Sequence, residues 1–551
     1  MGAIARCGTE GGNLVLILHG HAVCGGAAVG RLRFYRHGRV SAQLRHVEDA
    51  GQEIERLRHA LSRAEQELED LAENAEEQEA AEIMELHRMM LADEDFRAAM
   101  EGRIREKGIA AENAVLEVSA EFESLFSTMD DEYMRARSAD VRDVSARLVR
   151  ILTGAVAGGL DTSVPVIVAA DDLAPSETVQ MDKSRILAFV TMFGSPNSHT
   201  AILSGILGVP AIVQLGTDLL PEFDGKLAAV DGDSGTLYID PDEETVAMIR
   251  QKQEDSQRIR QELENFRTKE SQTGSGISVR VCANISTPED LRAAVENGAE
   301  GIGLFRSEFL YMESGQRPDE DRQAMIYRRV LKEMGGRRTV VRTIDLGADK
   351  GAEWLKLPHE ENPALGCRGI RLCFSRPELL HEQLRALYRA SPSGDLAILF
   401  PMVTSCGEVK RLREMARQVR EELRMEEIPF REDVPLGVMI ETPAAALISR
   451  DLAREADFFS IGTNDLIQYT LAADRQNPHV EQYWDPYHPA VRELIRITAQ
   501  AAREAGIPAA VCGELAADPK LTEYFISLGI HELSVSPPQI LPLRRHICSL
   551  P

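Results

Sequence analysis

Apolar residues recur at helical spacing through residues 41–150, a region that contains no Pro and few Gly. One stripe comprises Ile54, Leu57, Leu61, Leu68 and Leu71, and a second comprises Ile83, Leu86, Met90 and Leu91. Residues three or four positions apart share one face of a helix, so each stripe predicts a helix with one buried side. The region is therefore predicted to be a bundle of several helices.

The hydrophobic period changes near residue 164. Short β-rich runs occupy 164–168, 186–190, 210–213 and 227–230, and Asp233, Ser234 and Gly235 are typical of a hairpin turn after the last of them. Together with the Gly-rich residues 1–40, these runs predict a compact α/β domain that the helical bundle interrupts. Residues 242–270 predict a charged helix, and residues 271–276 predict a flexible stretch.

From residue 278 onward, short apolar runs alternate with amphipathic helices. The runs occupy 279–283, 301–305, 339–343, 397–402, 436–440, 458–461, 509–512 and 533–535. Eight such units over roughly 270 residues favour a (β/α)8 barrel. An open doubly wound sheet is the alternative, which the regularity of the units disfavours.

The predicted fold class is therefore a multidomain α/β protein with a C-terminal TIM barrel. The predicted divisions are 1–40 (an N-terminal extension and the first strands of the α/β domain), 41–150 (the helical bundle), 151–241 (the rest of the α/β domain), 242–276 (a linker helix) and 277–551 (the barrel).

Composition narrows the function. The 551 residues include 44% hydrophobic and 27% charged residues, which is typical of a globular protein. The formal charge of −26 disfavours binding to nucleic acid. Eight scattered Cys without a CxxC pair, and the absence of a long apolar segment near the start, predict a cytoplasmic protein that is not inserted in a membrane.

Charged and polar residues follow the predicted barrel strands, where the active sites of such barrels lie. They are Arg306, Arg342, Asp345, Lys350, Glu441, Asn464, Asp465, Arg475, Cys512 and Glu514. Several cationic groups at one mouth predict a site for a small polyanion, because guanidinium groups bind phosphate and carboxylate bidentately. Glu441 and Asp465 supply oxygen ligands that suit Mg²⁺. Cys512 is a candidate to hold or release a proton.

A second segment, GSPNSHT at 194–200, predicts a turn that leads into a helix with His199 near its first turn. A helix N-terminus stabilises an anion, and a phosphoryl group on an imidazole nitrogen is such an anion. Neutral imidazole is nucleophilic near neutral pH. Among the 13 His residues, His199 is therefore the candidate phosphoryl acceptor. A nucleophile and a donor site on different domains require movement through the linker.

At these motifs the chain resembles Enzyme I of the bacterial phosphoenolpyruvate:sugar phosphotransferase system. The resemblance is carried by GAEGIGLFRSEFL (298–310), RTIDLGADK (342–350), GVMIETPAAA (437–446), DFFSIGTNDLIQYTL (457–471) and VCGELA (511–516).

The resemblance implies a role for each candidate residue. His199 would carry the phosphoryl group and Thr178 would hydrogen-bond to it. Cys512 would donate the proton that converts enolpyruvate to pyruvate, and Glu441 and Asp465 would bind Mg²⁺. The residues implied to hold or surround phosphoenolpyruvate are Arg306, Arg342, Arg475, Lys350, Arg368, Asn464 and Asp465.

The resemblance also implies partners. The bundle is similar to a docking platform for the histidine-containing phosphocarrier protein HPr, particularly around 87–96 and 131–135. The family phosphorylates itself from phosphoenolpyruvate, passes the group to HPr and works as a homodimer through its barrels.

Two alternatives remain. Pyruvate phosphate dikinase and phosphoenolpyruvate synthase share such a barrel and histidine domain, but they need an ATP-binding domain for which few residues precede position 164. A regulatory phosphoenolpyruvate-binding protein with weak transfer is suggested by Pro196 in the histidine turn and by a short C-terminus.

Overall fold

The computed structural model describes residues 5–7, 15–35, 44–73, 78–127, 132–154, 164–173, 181–194, 199–312, 317–348, 353–475 and 477–551. The chain folds into two compact units, Met1–Ile259 and Arg260–Pro551. The first is a sheet with an inserted helical bundle and the second is a closed barrel, so the predicted multidomain α/β class is confirmed.

The first unit is built on a nine-stranded sheet. Its strands are β1 (Ala5–Cys7), β2 (Val15–His19), β3 (His21–Cys24), β4 (Ala27–Phe34), β5 (Val166–Ala170), β6 (Ile186–Thr191), β7 (Ala211–Val213), β8 (Leu227–Asp231) and β9 (Thr236–Ile239). They lie in the order β1-β2-β9-β8-β4-β5-β6-β7-β3, with β4 to β7 parallel. The predicted hairpin is confirmed, since β8 and β9 pair antiparallel around Gly235, whose φ is +67°. Helix His199–Leu207 lies between β6 and β7 in the sequence.

The bundle lies between β4 and β5 in the sequence. Its helices are Ala50–Glu73, Gln78–Ala92, Glu94–Lys107, Ala111–Ser127 and Glu132–Thr153. The first predicted stripe is confirmed, with Leu57 and Leu68 fully buried. Of the second stripe, Leu91 is buried as predicted, Leu86 and Met90 are half-buried, and the side chain of Ile83 lies outside the description. Among the described side chains of Gln78–Ala92, the buried ones are Met84, His87 and Leu91. His87 was not predicted to be buried, because the prediction considered apolar residues alone.

The first unit continues into helix Glu243–Glu264, after which the chain joins the barrel. Residues 271–276 were predicted to be flexible, but they form a packed turn. The Ser271 hydroxyl accepts from Arg544 and donates to Glu300, both at 2.9 Å. The Arg544 guanidinium, 1% exposed, also donates to the backbone carbonyls of Phe266, Arg267 and Gly298. The C-terminal helix therefore holds this stretch against the barrel.

The second unit is a parallel barrel. Its strands are β10 (Arg280–Ile285), β11 (Ile302–Arg306), β12 (Thr339–Arg342), β13 (Leu396–Phe400), β14 (Leu436–Ile440), β15 (Phe458–Ile461), β16 (Ala509–Val511) and β17 (Glu532–Val535). Each pairs with the next, and β10 pairs with β17, so the sheet closes and the open-sheet alternative is wrong.

Helices surround the barrel. They are Asp290–Glu296, Phe309–Met312, Glu320–Glu333, Ile370–Ser375, Pro377–Ala390, Cys406–Met425, Pro443–Leu447, Ser449–Leu452, Thr463–Leu471, Pro489–Ala505, Pro519–Ser527 and Ile540–Ser549. Their apolar faces pack on the outer faces of the strands in one core. A smaller cluster that includes Leu304, Leu399, Met439 and Cys512 fills the interior. Since all eight strands are parallel, their carboxyl ends meet at one rim. Among the described helices, none is long and apolar enough to cross a membrane.

Candidate active site

The rim brings together most of the residues that the sequence singled out in the barrel. Arg306 and Arg342 end strands β11 and β12, Glu441 follows β14, and Cys512 follows β16. Asn464 and Asp465 lie in the first turn of helix Thr463–Leu471, directly after β15. Parallel strands alone place these groups on the same end of the barrel.

Arg342 is held by two carboxylates. Its Nη2 lies 2.8 Å from Glu308 Oε1 and its Nη1 lies 3.2 Å from Asp345 Oδ2. Burial alone would lower the pKa of Arg342, which is 7% exposed, but Glu308 and Asp345 outweigh it and hold that pKa above its ordinary value. Arg342 is thus a permanent cation, fixed in place before any ligand arrives.

Arg368 is held in the same way from the other side of Asp345. Its Nε and Nη2 donate to the two carboxylate oxygens of Asp345 at 3.1 and 2.7 Å, a bidentate pair. Nη2 also lies 3.4 Å from Asp465 Oδ2, and Nη1 donates to the Tyr469 hydroxyl at 3.3 Å. Asp345 therefore joins the two arginines, and Arg368 joins them to the predicted metal ligand Asp465.

Glu441 is the most perturbed carboxylate of the rim. It is 1% exposed and accepts from the Met402 backbone N–H at 2.6 Å. Burial, followed by repulsion from Asp465 and Asp345, raises the pKa of Glu441 to about 8. Arg342 and Arg368 act to lower the pKa of Glu441, but burial and the two neighbouring carboxylates outweigh them.

The charge of the cluster fits a divalent cation. Among the described residues, the buried carboxylates Glu308, Asp345, Glu441 and Asp465 lie around the buried guanidinium groups of Arg342 and Arg368, and Arg306 lies close enough to Glu308 to interact with it. No group of three or more His, Cys, Asp and Glu in the described residues forms a metal site by itself. A pair of carboxylates that leaves positions for water and substrate oxygens suits Mg²⁺. The donor set thus fits the ion predicted from the sequence.

Cys512 lies beside this cluster in the barrel interior. It is 2% exposed, and its Sγ donates to the Ile461 carbonyl at 3.6 Å. Burial raises the pKa of the thiol to about 11, although Ser460, Arg342 and Arg306 oppose that rise. The thiol is therefore protonated at neutral pH, as a proton donor must be.

A cavity of about 690 Å³ opens at the rim, and Arg306, Asn464, Cys512 and Glu514 line it. Arg306 is exposed into this space, where partial burial and then the Arg342 guanidinium lower its pKa. The Asn464 amide donates to Glu514 Oε1 and accepts from the Glu514 backbone N–H, both at 3.0 Å. The cavity thus offers a cation and a fixed amide next to a thiol.

Arg475 is exposed and lies near enough to Arg306 to lower the pKa of that guanidinium further. Its backbone N–H donates to the Gln468 side chain at 3.2 Å. Lys350 and Thr178 lie outside the described residues. Helix His199–Leu207 begins at His199, as the sequence predicted, although the side chain of His199 is outside the description.

Sequence reasoning missed Glu308 and Tyr469. Glu308 stands two residues after Arg306 in the motif segment RSEFL, and its carboxylate also accepts from the Asp345 backbone N–H at 3.0 Å. A carboxylate so close to a predicted anion site was a usable signal, because buried arginines need a counter-charge. Tyr469 carried no such signal, since only the fold brings its hydroxyl to Arg368.

Three family models match the chain, each of a phosphoenolpyruvate-utilising enzyme. They are the N-terminal domain over residues 19–137, the mobile domain over 163–235 and the phosphoenolpyruvate-binding domain over 260–550. The protein is thus of the phosphoenolpyruvate-utilising class, and the rim described above lies within its phosphoenolpyruvate-binding domain.

Known relatives narrow that class. The phosphoenolpyruvate-protein phosphotransferase of Staphylococcus carnosus is 40% identical over 541 residues, which cover 97% of this chain and 94% of the relative. That of Geobacillus stearothermophilus is 38% identical over 537 residues, with 97% and 93% covered. A solution structure of Enzyme I (nEIt) is 33% identical and covers 44% of this chain and 99% of its own, with a TM-score of 0.37. The chain belongs to the phosphoenolpyruvate-protein phosphotransferase family.

Proposed function

We propose that this protein transfers the phosphoryl group of phosphoenolpyruvate to His199, releases pyruvate, and passes the group to the phosphocarrier protein HPr. The observation that carries the proposal is the rim, where preorganised guanidinium groups and a carboxylate pair lie at the strand ends, and where Arg306 and a protonated thiol line one cavity. That set matches the needs of phosphoenolpyruvate, which has a phosphate, a carboxylate and a carbon that accepts a proton.

In this mechanism, Arg306, Arg342 and Arg475 hold the phosphate and carboxylate, with Lys350, Arg368 and Asn464 beside them. Glu441 and Asp465 would hold a divalent metal ion, proposed to be Mg²⁺, which when bound neutralises charge on the transferring phosphate. Arg342 and Arg368 need no rearrangement to act, because Glu308 and Asp345 already fix their guanidinium planes.

The reaction balances with the residues present. An imidazole nitrogen of His199, oriented by Thr178, attacks phosphorus. The bond from phosphorus to the bridging oxygen breaks, and its electron pair stays on the enolate. The enolate then forms a C–H bond at C3 with the proton of Cys512, and the thiolate that remains regains a proton from solvent. A thiol whose pKa is about 11 keeps its proton until a strong carbon base such as an enolate is present.

The wider organisation is part of the same proposal. The bundle is assigned to HPr docking, and residues 242–270 to the linker between the histidine domain and the barrel. We further propose that the protein is cytoplasmic and acts as a homodimer through its barrels.

The test is labelling from phosphoenolpyruvate without ATP. Protein incubated with ³²P-labelled phosphoenolpyruvate and Mg²⁺ should acquire acid-labile label, and HPr should discharge it. The variant His199→Ala should take up no label, whereas His59→Ala, which alters a histidine of the bundle, should label normally. An unlabelled native protein would refute the proposal. Labelling that depends on ATP would identify a dikinase or synthase instead, and labelling without discharge would favour a regulatory protein.

A further inference from the structure

Asn284 is a residue of the first barrel strand that no prediction singled out. It lies in β10 and lines the rim cavity with Arg306, Asn464 and Cys512. Its amide nitrogen donates to the backbone carbonyl of Cys512 at 2.9 Å and to that of Ser534 at 3.0 Å. Its amide oxygen accepts from the Ser534 hydroxyl at 2.7 Å. Three strand ends, those of β10, β16 and β17, are thus joined through one side chain.

The hydrogen bonds leave Asn284 little capacity for a ligand. A side-chain amide carries two N–H donors, and both are used on carbonyl oxygens, which also settles which end of the amide is nitrogen. The residue therefore acts on its neighbours, and Cys512 is the neighbour with chemistry. By contrast, within the described part of the chain the Asn464 amide donates one hydrogen bond, to Glu514.

The local backbone is shaped to admit this network. The register between β10 and β11 shifts at Asn284, since Ala283 lies opposite Ile302 and Asn284 lies opposite Leu304, which leaves Gly303 as the extra residue. A Cβ at Gly303 would lie 2.4 Å from Ser534 Oγ, so no other residue leaves room for that hydroxyl. Ser534 is itself fully buried. The bulge and Gly303 thus leave room for the hydrogen bond between the Ser534 hydroxyl and Asn284.

The segment that follows β16 is fixed on its other side as well. A Cβ at Gly513 would lie 1.9 Å from Thr463 Oγ1 and 2.7 Å from the Thr463 backbone nitrogen, so the segment packs directly on the start of helix Thr463–Leu471. Glu514 is held by Asn464 through its side chain and its backbone N–H. Asn284 adds a further contact, a hydrogen bond to the backbone carbonyl of Cys512, which is the residue that carries the thiol.

We propose that Asn284 and Ser534 are positioning residues that set the orientation of the Cys512 thiol, and so determine from which face C3 of enolpyruvate receives its proton. This inference rests on the proposed function, because it assumes that Cys512 protonates an enolate in the cavity. A thiol that is free to turn would protonate both faces, or would release enolpyruvate to be protonated by water.

The measurement is the stereochemistry of protonation. Phosphoenolpyruvate that carries tritium stereospecifically at C3 is converted in D₂O, and the configuration of the resulting chiral methyl group of pyruvate is determined. Native protein should give one configuration. Asn284→Asp keeps the size of the side chain but cannot donate to the two carbonyls, and it should give a largely racemic methyl group. Misplacement of a reacting group by about 1 Å slows a step by up to roughly 100-fold, so the reverse phosphorylation of pyruvate should slow by roughly 10- to 100-fold.

Labelling of His199 from phosphoenolpyruvate separates this role from loss of the fold. This labelling depends on the phosphate site, so its rate should fall less than about threefold in Asn284→Asp. General damage to the fold would lower the labelling rate and the rate of pyruvate phosphorylation together. Ser534→Ala removes only the donor to the Asn284 amide oxygen and should give a partial loss of stereospecificity in a folded protein. The matched control is Ser449→Ala, which deletes a fully buried hydroxyl that lacks a hydrogen-bond partner in the described structure and lies outside the barrel interior.

The outcomes are distinct. Retained stereospecificity in Asn284→Asp would overturn the inference and leave the proposed function intact. If that variant does not fold, full stereospecificity in Ser534→Ala overturns the inference in the same way. Absence of His199 labelling in the native protein would overturn the proposed function, and the inference with it.

Discussion

Removal of the Arg368 guanidinium should destabilise the barrel strongly, and a divalent cation should restore part of the loss. Arg368 is 5% exposed and its nitrogens contact Asp345 and Asp465. In Arg368→Met the side chain remains long and apolar, but Asp345 and Asp465 would lose the guanidinium group that contacts both of them. Breaking a buried ion pair from one side costs about 3–5 kcal/mol, because the partner charge stays buried.

The magnitude converts into a thermal shift. One kcal/mol corresponds to roughly 2–4 °C for domains of this size, so the midpoint of the barrel transition should fall by roughly 6–20 °C in metal-free buffer. The assay is differential scanning calorimetry with EDTA and then with Mg²⁺. Mg²⁺ should raise the midpoint of the variant more than that of the native protein, because the variant has more uncompensated negative charge for the cation to neutralise.

The control is Arg371→Met, which alters an arginine three residues away. The Arg371 guanidinium donates to the backbone carbonyls of Leu365 and Gly366. This variant should lose less than about 1 kcal/mol and should respond to Mg²⁺ as the native protein does, because surface interactions contribute little. A loss in Arg368→Met as small as that of the control would refute the view that the rim carboxylates depend on Arg368 for their charge balance.

Three further predictions follow from the rim and the C-terminal helix. Burial raises the pKa of Glu441 from 4.5 to about 8, so the folded chain holds this proton more tightly than the unfolded chain. Metal-free protein should therefore lose stability as the pH rises through that range, and Glu441→Gln should remove this part of the pH slope in calorimetry; equal slopes would contradict it. The Cys512 thiol is buried and its pKa is about 11, so iodoacetamide at about pH 7.5 should modify it far more slowly than the half-buried Cys548. Peptide mass spectrometry follows both reactions, and comparable rates would be inconsistent with a buried proton donor. Arg544→Met leaves three backbone carbonyls without their donor, so it should lower the free energy of unfolding of the barrel by at least about 3 kcal/mol in urea titrations. A change below about 1 kcal/mol would contradict the view that Arg544 holds this stretch against the barrel.

Much of the barrel could be predicted because its information is local. An apolar run of four to six residues followed by an amphipathic helix is visible within a short window, and eight repeats suffice to favour closure. The same rule put Arg306, Arg342, Glu441 and Cys512 on one rim, since each ends a parallel strand or directly follows one. Helix His199–Leu207 could also be predicted locally, because a Gly- and Pro-containing segment of the sequence precedes it.

Errors arose where polar residues take part in packing. His87 is 1% exposed and lies 3.2 Å from Asp140, so it occupies a core position that a hydrophobic pattern cannot find. Residues 271–276 have the composition of a flexible linker, yet Arg544, 273 positions away from Ser271, bonds to that stretch. Composition indicates how a segment behaves in isolation, whereas here hydrogen bonds from a distant arginine determine its conformation.

Local sequence patterns were enough to predict the classes of structure and chemistry: a helical bundle, an α/β domain, a barrel, and an anion site with carboxylates and a thiol at the ends of its strands. The charge states and contacts of those groups depend on the folded barrel. The pairing of Arg342 with Glu308, the bidentate Arg368–Asp345 pair and the Asn284 bond to Cys512, 228 residues apart, all depend on which strand ends become neighbours. Periodicity is a property of adjacent residues, whereas burial and hydrogen-bond partners are properties of residues that only the closed barrel brings together.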